Sequence, residues 1–149
     1  MDTYNSKYYE PLEQMMAIRH QYMSKILRDH SGQDIYEFFK NKKILDLGCG
    51  TGEFLNNYYD MGAECSGIDI ENNFKIKNKI NFKLINIEAN KFLKNCKKKF
   101  DVIFLFEFLE HLEEQDKYQL FENLTKNLNK NAYIFCLLYT SPSPRDVVP

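Results

Sequence analysis

Apolar residues recur at two different spacings along this chain, and the spacing changes mark its elements. Between Pro11 and Leu27, apolar side chains at 12, 15, 16, 18, 22, 23, 26 and 27 fall at helical intervals. That spacing predicts a helix over 11–27, with Pro11 in its first turn and Gly32 just past its end. "DIYE" (Asp34–Glu37) offers an N-cap carboxylate and a glutamate three residues on, so a short helix to about Lys40 should follow. The pattern then turns to short apolar runs. Lys43–Leu47, Glu64–Ile70, Ile80–Ile87 and Phe100–Phe108 read as strands, and Ala132–Phe135 begins a fifth. Helical intervals return over Glu53–Met61, with Phe54, Leu55 and Tyr58 inward and Gly62 as the stop. They return again over Gln115–Leu128, where Tyr118, Leu120, Phe121, Leu124 and Leu128 are available to pack. The link from Ile70 to the third strand is near the lower limit for a crossover containing a helix, so a short or irregular helix is expected there. Runs as apolar as "FDVIFLFEF" are buried on both faces, as in parallel sheets. The alternation predicts an α/β fold with a mostly parallel sheet, right-handed crossovers and helices on both faces.

Composition narrows the picture. The chain has 149 residues, 44% hydrophobic and 28% charged, which suits one globular domain with a core of its own. A net charge of −1 points to no polyanionic partner. No apolar run has the length of a membrane span, and the polar start "MDTYNSKYYE" lacks the core of a signal peptide. Cys49, Cys65, Cys96 and Cys136 form no CxxC pair, so no metal site is expected, and scattered thiols suit a cytoplasmic location. From Cys136 the string "CLLYTSPSPRD" departs from the Lys-, Asn-, Ile-, Phe- and Tyr-rich character of the rest. It resembles the translation of a sequencing-library transposase adapter. The expected organisation is therefore a helical extension over 1–41, a cofactor-binding core over 42–135, and a non-native tail over 136–149. A natural chain continuing beyond Phe135 is expected, and a fifth strand left as an open edge should make the 149-residue chain poorly soluble.

The densest chemistry lies in "KKILDLGCGTGEF" (Lys42–Phe54). Gly48, Gly50 and Gly52 sit between a strand and a helix, where glycine permits positive φ and leaves bare backbone for a ligand. First-turn N–H groups and the helix dipole would face that ligand. Asp69 ends the next strand, 21 positions after Gly48, where a carboxylate can accept from both hydroxyls of a ribose. The dinucleotide fingerprint G-x-G-x-x-G is not matched: the third glycine comes one residue early and Glu53 takes its place. A carboxylate there, and Asp46 before the loop, would repel a pyrophosphate but not a cation. S-adenosylmethionine (SAM) carries a sulfonium, an ammonium and a ribose, and no phosphate.

"ILDLGCGTG" followed by "GIDI" resembles the core of class I SAM-dependent methyltransferases, over Lys43 to Phe135. The resemblance implies a Rossmann-like fold in strand order 3-2-1-4-5-7-6, of which this chain supplies strands up to the fifth. It implies that the loop of Gly48, Cys49, Gly50 and Gly52, with Asp46 before it, binds the cofactor and holds its methionine part, that Asp69 holds the ribose, and that Ile70 packs on the adenine; Cys49 itself reads as a small packing residue within the loop. The family's acid at the end of the third strand falls on Asn86, which can still accept a hydrogen bond, with Ile87 after it. "FEFLEHL" (Phe106–Leu112) is similar to the E-x-x-E-H stretch of ubiquinone-biosynthesis O-methyltransferases. In the family this segment borders cofactor and substrate, which brings in Phe106. "PLEQMMAIRHQYM" (Pro11–Met23) is similar to the N-terminal segment whose arginine reaches the cofactor, which would assign Arg19 or leave it a solvated helix residue.

Methyl transfer is an in-line displacement in which the enzyme positions nucleophile and methyl group. An oxygen nucleophile also gains from loss of its proton. His111 is the candidate base, since histidine titrates near pH 6.5 in water; the alternative is a helix-start histidine bonded to backbone. Glu107 and Glu110 could orient substrate or histidine. The D/N-P-P-[YF] motif of nucleic-acid amino methyltransferases is absent and "FEFL" stands in its place, so a small-molecule acceptor, through oxygen, is expected and no nucleic acid. Two competing classes remain: an NAD(P)-dependent oxidoreductase, and a protein that binds SAM without catalysis. The acceptor itself and the oligomeric state are not written in these residues.

Overall fold

Helix and strand alternate in the order that the apolar spacing predicts, with one helix more. The computed structural model describes residues 6–76 and 81–138, with side chains from residue 13 onward. The chain falls into two units, residues 1–40 and 41–149. The first holds α1 (Ser6–Ser31) and α2 (Ile35–Phe39). α1 starts before the expected boundary, so Pro11 lies inside the helix and not in its first turn. It stops where glycine allows: Gly32 takes φ +69° and its N–H returns to the Arg28 carbonyl at 3.1 Å. Asp34 caps α2, accepting the Glu37 N–H at 2.9 Å, a contact of about 1 kcal/mol.

The second unit contains β1 (Lys43–Leu47), α3 (Glu53–Asp60), β2 (Glu64–Asp69), β3 (Phe82–Asn86), α4 (Ala89–Asn95), β4 (Phe100–Phe106), a 3₁₀ turn at Leu109–His111, α5 (Glu114–Lys126) and β5 (Leu128–Leu137). Among the described residues the strands form one sheet in the order β3-β2-β1-β4-β5, with every neighbouring pair parallel. β5 begins four residues before the expected Ala132 and pairs with β4 through Leu137, after an irregularity between Phe100 and Val102.

Strand alternation assigns each face its partner. Phe104 and Phe106 point to α3, where Phe54 lies 5.7 and 5.4 Å from them by ring centroid and Tyr58 lies 5.2 Å from Phe104. Ile103 and Leu105 point the other way, into a core shared with Leu45, Leu47, Leu93 of α4, and Leu120 and Leu124 of α5. Helices thus cover both faces, which explains why β1 and β4 are mostly apolar, with Asp46 buried in β1 and Asp101 near the start of β4. On α5, Tyr118 and Phe121, read as available to pack, are exposed; Leu120, Asn123 and Leu124 are its buried residues, and Leu128, expected to end this helix, instead begins β5.

Two links differ from expectation. No helix forms in residues 71–76; instead the Lys75 N–H reaches back to the Thr51 carbonyl at 3.0 Å, tying this segment to the glycine loop. Residues 77–80, including the expected strand residue Ile80, lie outside the described residues, as do 139–149 of the expected non-native tail. The unexpected helix is α4, whose N-cap is Glu88: its two carboxylate oxygens accept the Asn90 and Lys91 N–H groups, each at 2.9 Å. α4 has few apolar residues, and it is held to α5 by Asn90, whose amide donates to the Asp116 carbonyl and accepts from Asn123. No helix among the described residues is long and apolar enough to cross a membrane.

Candidate functional site

A parallel sheet sends every strand's C-terminal end to one edge, and the order β2-β1-β4 makes the chain leave β1 and β4 in opposite directions there. A crevice at such a switch point is where open α/β sheets bind ligands. A cavity of about 460 Å³ lies at this edge, within the usual range for ligand pockets. Gly48 lines it from β1, and Ile68, Asp69, Ile70 and Glu71 from the end of β2. Ile87, Glu88 and Ala89 line it after β3, and Glu107, Phe108, His111 and Leu112 after β4.

The glycine loop is built from positive-φ residues. Gly48, Gly50 and Gly52 take φ +77°, +58° and +83°. The Gly48 and Cys49 N–H groups both point to the Ile68 carbonyl, at 2.8 and 3.0 Å, so the loop starts against the end of β2. A Cβ on Gly48 would stand 2.8 Å from the Phe108 ring, and one on Gly52 would stand 2.8 Å from Leu84. A Cβ on Gly50 would meet nothing within 4 Å: the space beside that residue is open.

Asp69 is fixed by backbone. One carboxylate oxygen accepts the Gly50 N–H and the other the Glu71 N–H, each at 2.8 Å. Each oxygen keeps a further lone pair for a ligand hydroxyl. Ile70 beside it is 72% exposed, an apolar side chain at the cavity lip. Asp69, Glu71, Glu88 and Glu107 make the lining strongly acidic, with His111 the one basic group in it. Such a cavity favours a cation and repels a polyphosphate.

Asp46, Cys49, Asn86 and Phe106 were also anticipated and do not line the cavity. Asp46 is buried within β1. Cys49 is turned inward, its sulfur 2.8 Å from where a Cβ on Gly67 would be. Burial, then the nearby carboxylates of Asp46 and Asp69, push its thiol pKa far up, so it is a packing group and not a nucleophile. Phe106 was expected to border the cofactor, but its ring packs on Phe54 and stacks on Phe104 at 5.0 Å, away from the cavity lining. Asn86 was expected to offer its amide oxygen; its amide nitrogen is engaged with the Asp69 and Ile70 carbonyls at 3.1 and 2.9 Å. Arg19 belongs to the first unit, on α1, with Nη2 at 3.7 Å from the Met15 sulfur one turn back.

His111 stands in the 3₁₀ turn after β4, its side chain 76% exposed and Nε2 4.0 Å from Glu110 Oε1. The chain reaches it through Glu107, which takes φ +52° and donates its N–H to the Leu137 carbonyl at 2.9 Å. A left-handed glutamate costs about 1–2 kcal/mol, and such strain gathers at functional sites. Ile68, Glu71, Glu88 and Ala89 were not named as site residues, whereas Glu107, Phe108 and Leu112 lie in the segment expected to border cofactor and substrate. For Glu88 the readable signal was a cap residue before a short apolar pair, Phe92 and Leu93.

Residues 15–147 match the family described as "Methyltransferase domain". The chain is 33% identical over 137 residues to a ubiquinone biosynthesis O-methyltransferase of Pelagibacter ubique (strain HTCC1062), covering 85% of this chain and 55% of that one. The chain spans about half the length of the curated relatives it matches. Among solved structures it is similar to a SAM dependent methyltransferase from Archaeoglobus fulgidus, at 26% identity and TM-score 0.58, over 85% of this chain and 56% of that one. It shares its fold with the plantazolicin methyltransferase BamL, at 21% identity and TM-score 0.65, over 88% of this chain and 49% of that one.

Proposed function

This chain belongs to the methyltransferase domain family, and from that membership we propose that it binds SAM in the cavity at the C-terminal edge of its sheet, for methyl transfer to an oxygen of a small-molecule acceptor. The observation that carries this reading is Asp69, a carboxylate held by Gly50 of the loop and Glu71 beside an open cavity. The residues fit the group. Ribose hydroxyls donate to the free lone pairs of Asp69, Ile70 and Ile87 offer apolar surface to the purine, and the acidic lining suits a cationic ligand. Space for the methionine part lies beside Gly50, where even a methyl group would meet nothing. A pyrophosphate in place of the sulfonium would face the same carboxylates with the wrong sign, which disfavours NAD(P).

SAM supplies an electrophilic methyl group on a sulfonium. What this chain supplies is position and a proton acceptor. Phe108 and Leu112 wall the side of the cavity that an acceptor would enter. His111, on the same wall and open to solvent, takes the proton from the acceptor hydroxyl at a ring nitrogen. Residues 42–135 carry this binding core, and α1 and α2 precede it in the chain.

Calorimetric titration of this chain with SAM and with S-adenosylhomocysteine tests the reading. Asp69→Ala should weaken both about 10- to 100-fold, the cost of losing charged hydrogen bonds. Unchanged affinity in that variant sinks the ribose assignment, and binding of NADH without binding of SAM sinks the whole reading.

A further inference from the structure

The cavity has two walls made from adjacent strand ends: Asp69, Ile70 and Glu71 on one side, and Ile87, Glu88 and Ala89 on the other. Asn86 lies between these walls in the chain's pairing, opposite Asp69 in the parallel register, yet it does not line the cavity. Its amide nitrogen donates instead to the carbonyls of Asp69 and Ile70, at 3.1 and 2.9 Å. The first of those carbonyls also accepts the Ile87 N–H at 3.1 Å. β2 has ended at Asp69, so the Ile70 carbonyl lies beyond the regular ladder, and the Asn86 amide extends the pairing by one rung. Two carbonyl acceptors can be served only by the NH₂ of an amide, which fixes the orientation of the group.

We propose that Asn86 is a positioning residue: it stitches the exit of β2 to the exit of β3 and thereby holds the turn that presents Asp69 and Ile70 to the ligand. The inference rests on the SAM reading only for its ligand; the stitch itself is a property of the free chain. A carboxylate here, such as the acid that the resemblance places at this position, has no donor, so it would turn away from both carbonyls and leave the two strand exits unstitched. The requirement at position 86 is therefore for a donor, and a direct contact with the ligand base would instead be served by an acceptor.

Asn86→Asp separates these roles, because it keeps an acceptor and removes the donors. Two measurements are made on the whole chain. Without ligand, amide hydrogen exchange at Glu71 and Gly50, whose N–H groups bond Asp69, should quicken about tenfold in Asn86→Asp while exchange in β1 and β4 is unchanged. With ligand, S-adenosylhomocysteine should bind about tenfold more weakly to Asn86→Asp, and Asn86→Ala should lose the same factor for S-adenosylhomocysteine as for S-inosylhomocysteine, which lacks the exocyclic amine. Equal or tighter binding by Asn86→Asp, or a loss in Asn86→Ala confined to the adenine compound, overturns the proposal in favour of direct base contact. Unchanged exchange at Glu71 and Gly50 overturns it independently of any ligand. Failure of the unsubstituted chain to bind either compound counts against the SAM reading and leaves the exchange result to decide the stitch.

Discussion

Alanine at Gly48 and alanine at Gly50 should differ sharply, although the two glycines are neighbours in one loop. Both hold positive φ, +77° and +58°, so either alanine incurs the left-handed penalty of about 1–2 kcal/mol. Only Gly48 adds a collision: its new Cβ would stand 2.8 Å from Phe108 Cδ2, where real Cβ atoms do not go. Forcing that ring aside in a packed site costs about 1–3 kcal/mol more. Gly48→Ala should therefore lose about 2–5 kcal/mol and Gly50→Ala about 1–2 kcal/mol. With a urea slope of about 2 kcal/mol per molar, the midpoints should fall by about 1–2.5 M and about 0.5–1 M. The chain has no tryptophan, so far-ultraviolet circular dichroism is the suitable probe. The collision has one partner, which allows a double-mutant cycle. Removing the ring in Gly48→Ala/Phe108→Ala should recover the steric part, giving a coupling of about 1–3 kcal/mol. Equal midpoints for the two alanines, or a cycle with no coupling, would refute the argument that Gly48 is set by Phe108.

Two further outcomes test the core and its protons. Asn127 is 1% exposed and its amide donates to the Cys96 and Lys98 carbonyls at 2.9 and 3.0 Å; Asn127→Ala, which strands both, should lower stability by about 1–3 kcal/mol, and a thermal melt superimposable on the unsubstituted chain would contradict this. Cys65 has its thiol pushed up to about 12 from 9.0, first by burial and then by Asp46 and Glu64, so the unfolded chain releases that proton near pH 9 while the folded chain holds it. Stability should therefore fall as pH rises from 9 to 12, and Cys65→Ala should flatten that fall; coincident slopes for the two proteins would show that the thiol plays no part.

The strands were legible because each carries a short run dominated by apolar residues, and β1 was readable to its ends at Lys43 and Leu47. The caps were legible because each needs a particular residue type: a carboxylate at Asp34 before α2, and a residue without Cβ at Gly62 after α3, where φ is +92°. α4 was not, because its seven residues include only Ala89, Phe92 and Leu93 as apolar positions, and Asn90 bonds it to Asp116 and Asn123 of α5 beside the packing of Ala89 and Leu93. In a chain rich in asparagine, nothing in the sequence separates a buried asparagine that bonds across helices from one in solvent. The same opacity hid the bonds of Asn86, named from the sequence as an adenine contact, because its partners are main-chain carbonyls that carry no sequence signal.

The site itself shows why one anticipated residue moved. The apolar run "FDVIFLFEF" continues to Phe108, so a strand through Phe108 keeps Phe106 near the ligand edge. The strand in fact ends at Phe106, because Glu107 turns left-handed at φ +52°. Period-2 alternation up to that point commits Phe106 to the same face as Phe104, against α3. The turn then releases the chain from that alternation, and both Glu107 and the ring of Phe108 reach the cavity, the latter beside Gly48. No pattern of apolar residues announces a left-handed glutamate. Its backbone is fixed from outside, by the Leu137 carbonyl of β5 accepting its N–H. In this chain the turn at Glu107 is therefore held by pairing with β5, 30 residues further along by the Glu107 to Leu137 separation and inside the segment expected to be non-native, and not by the motif that occupies it.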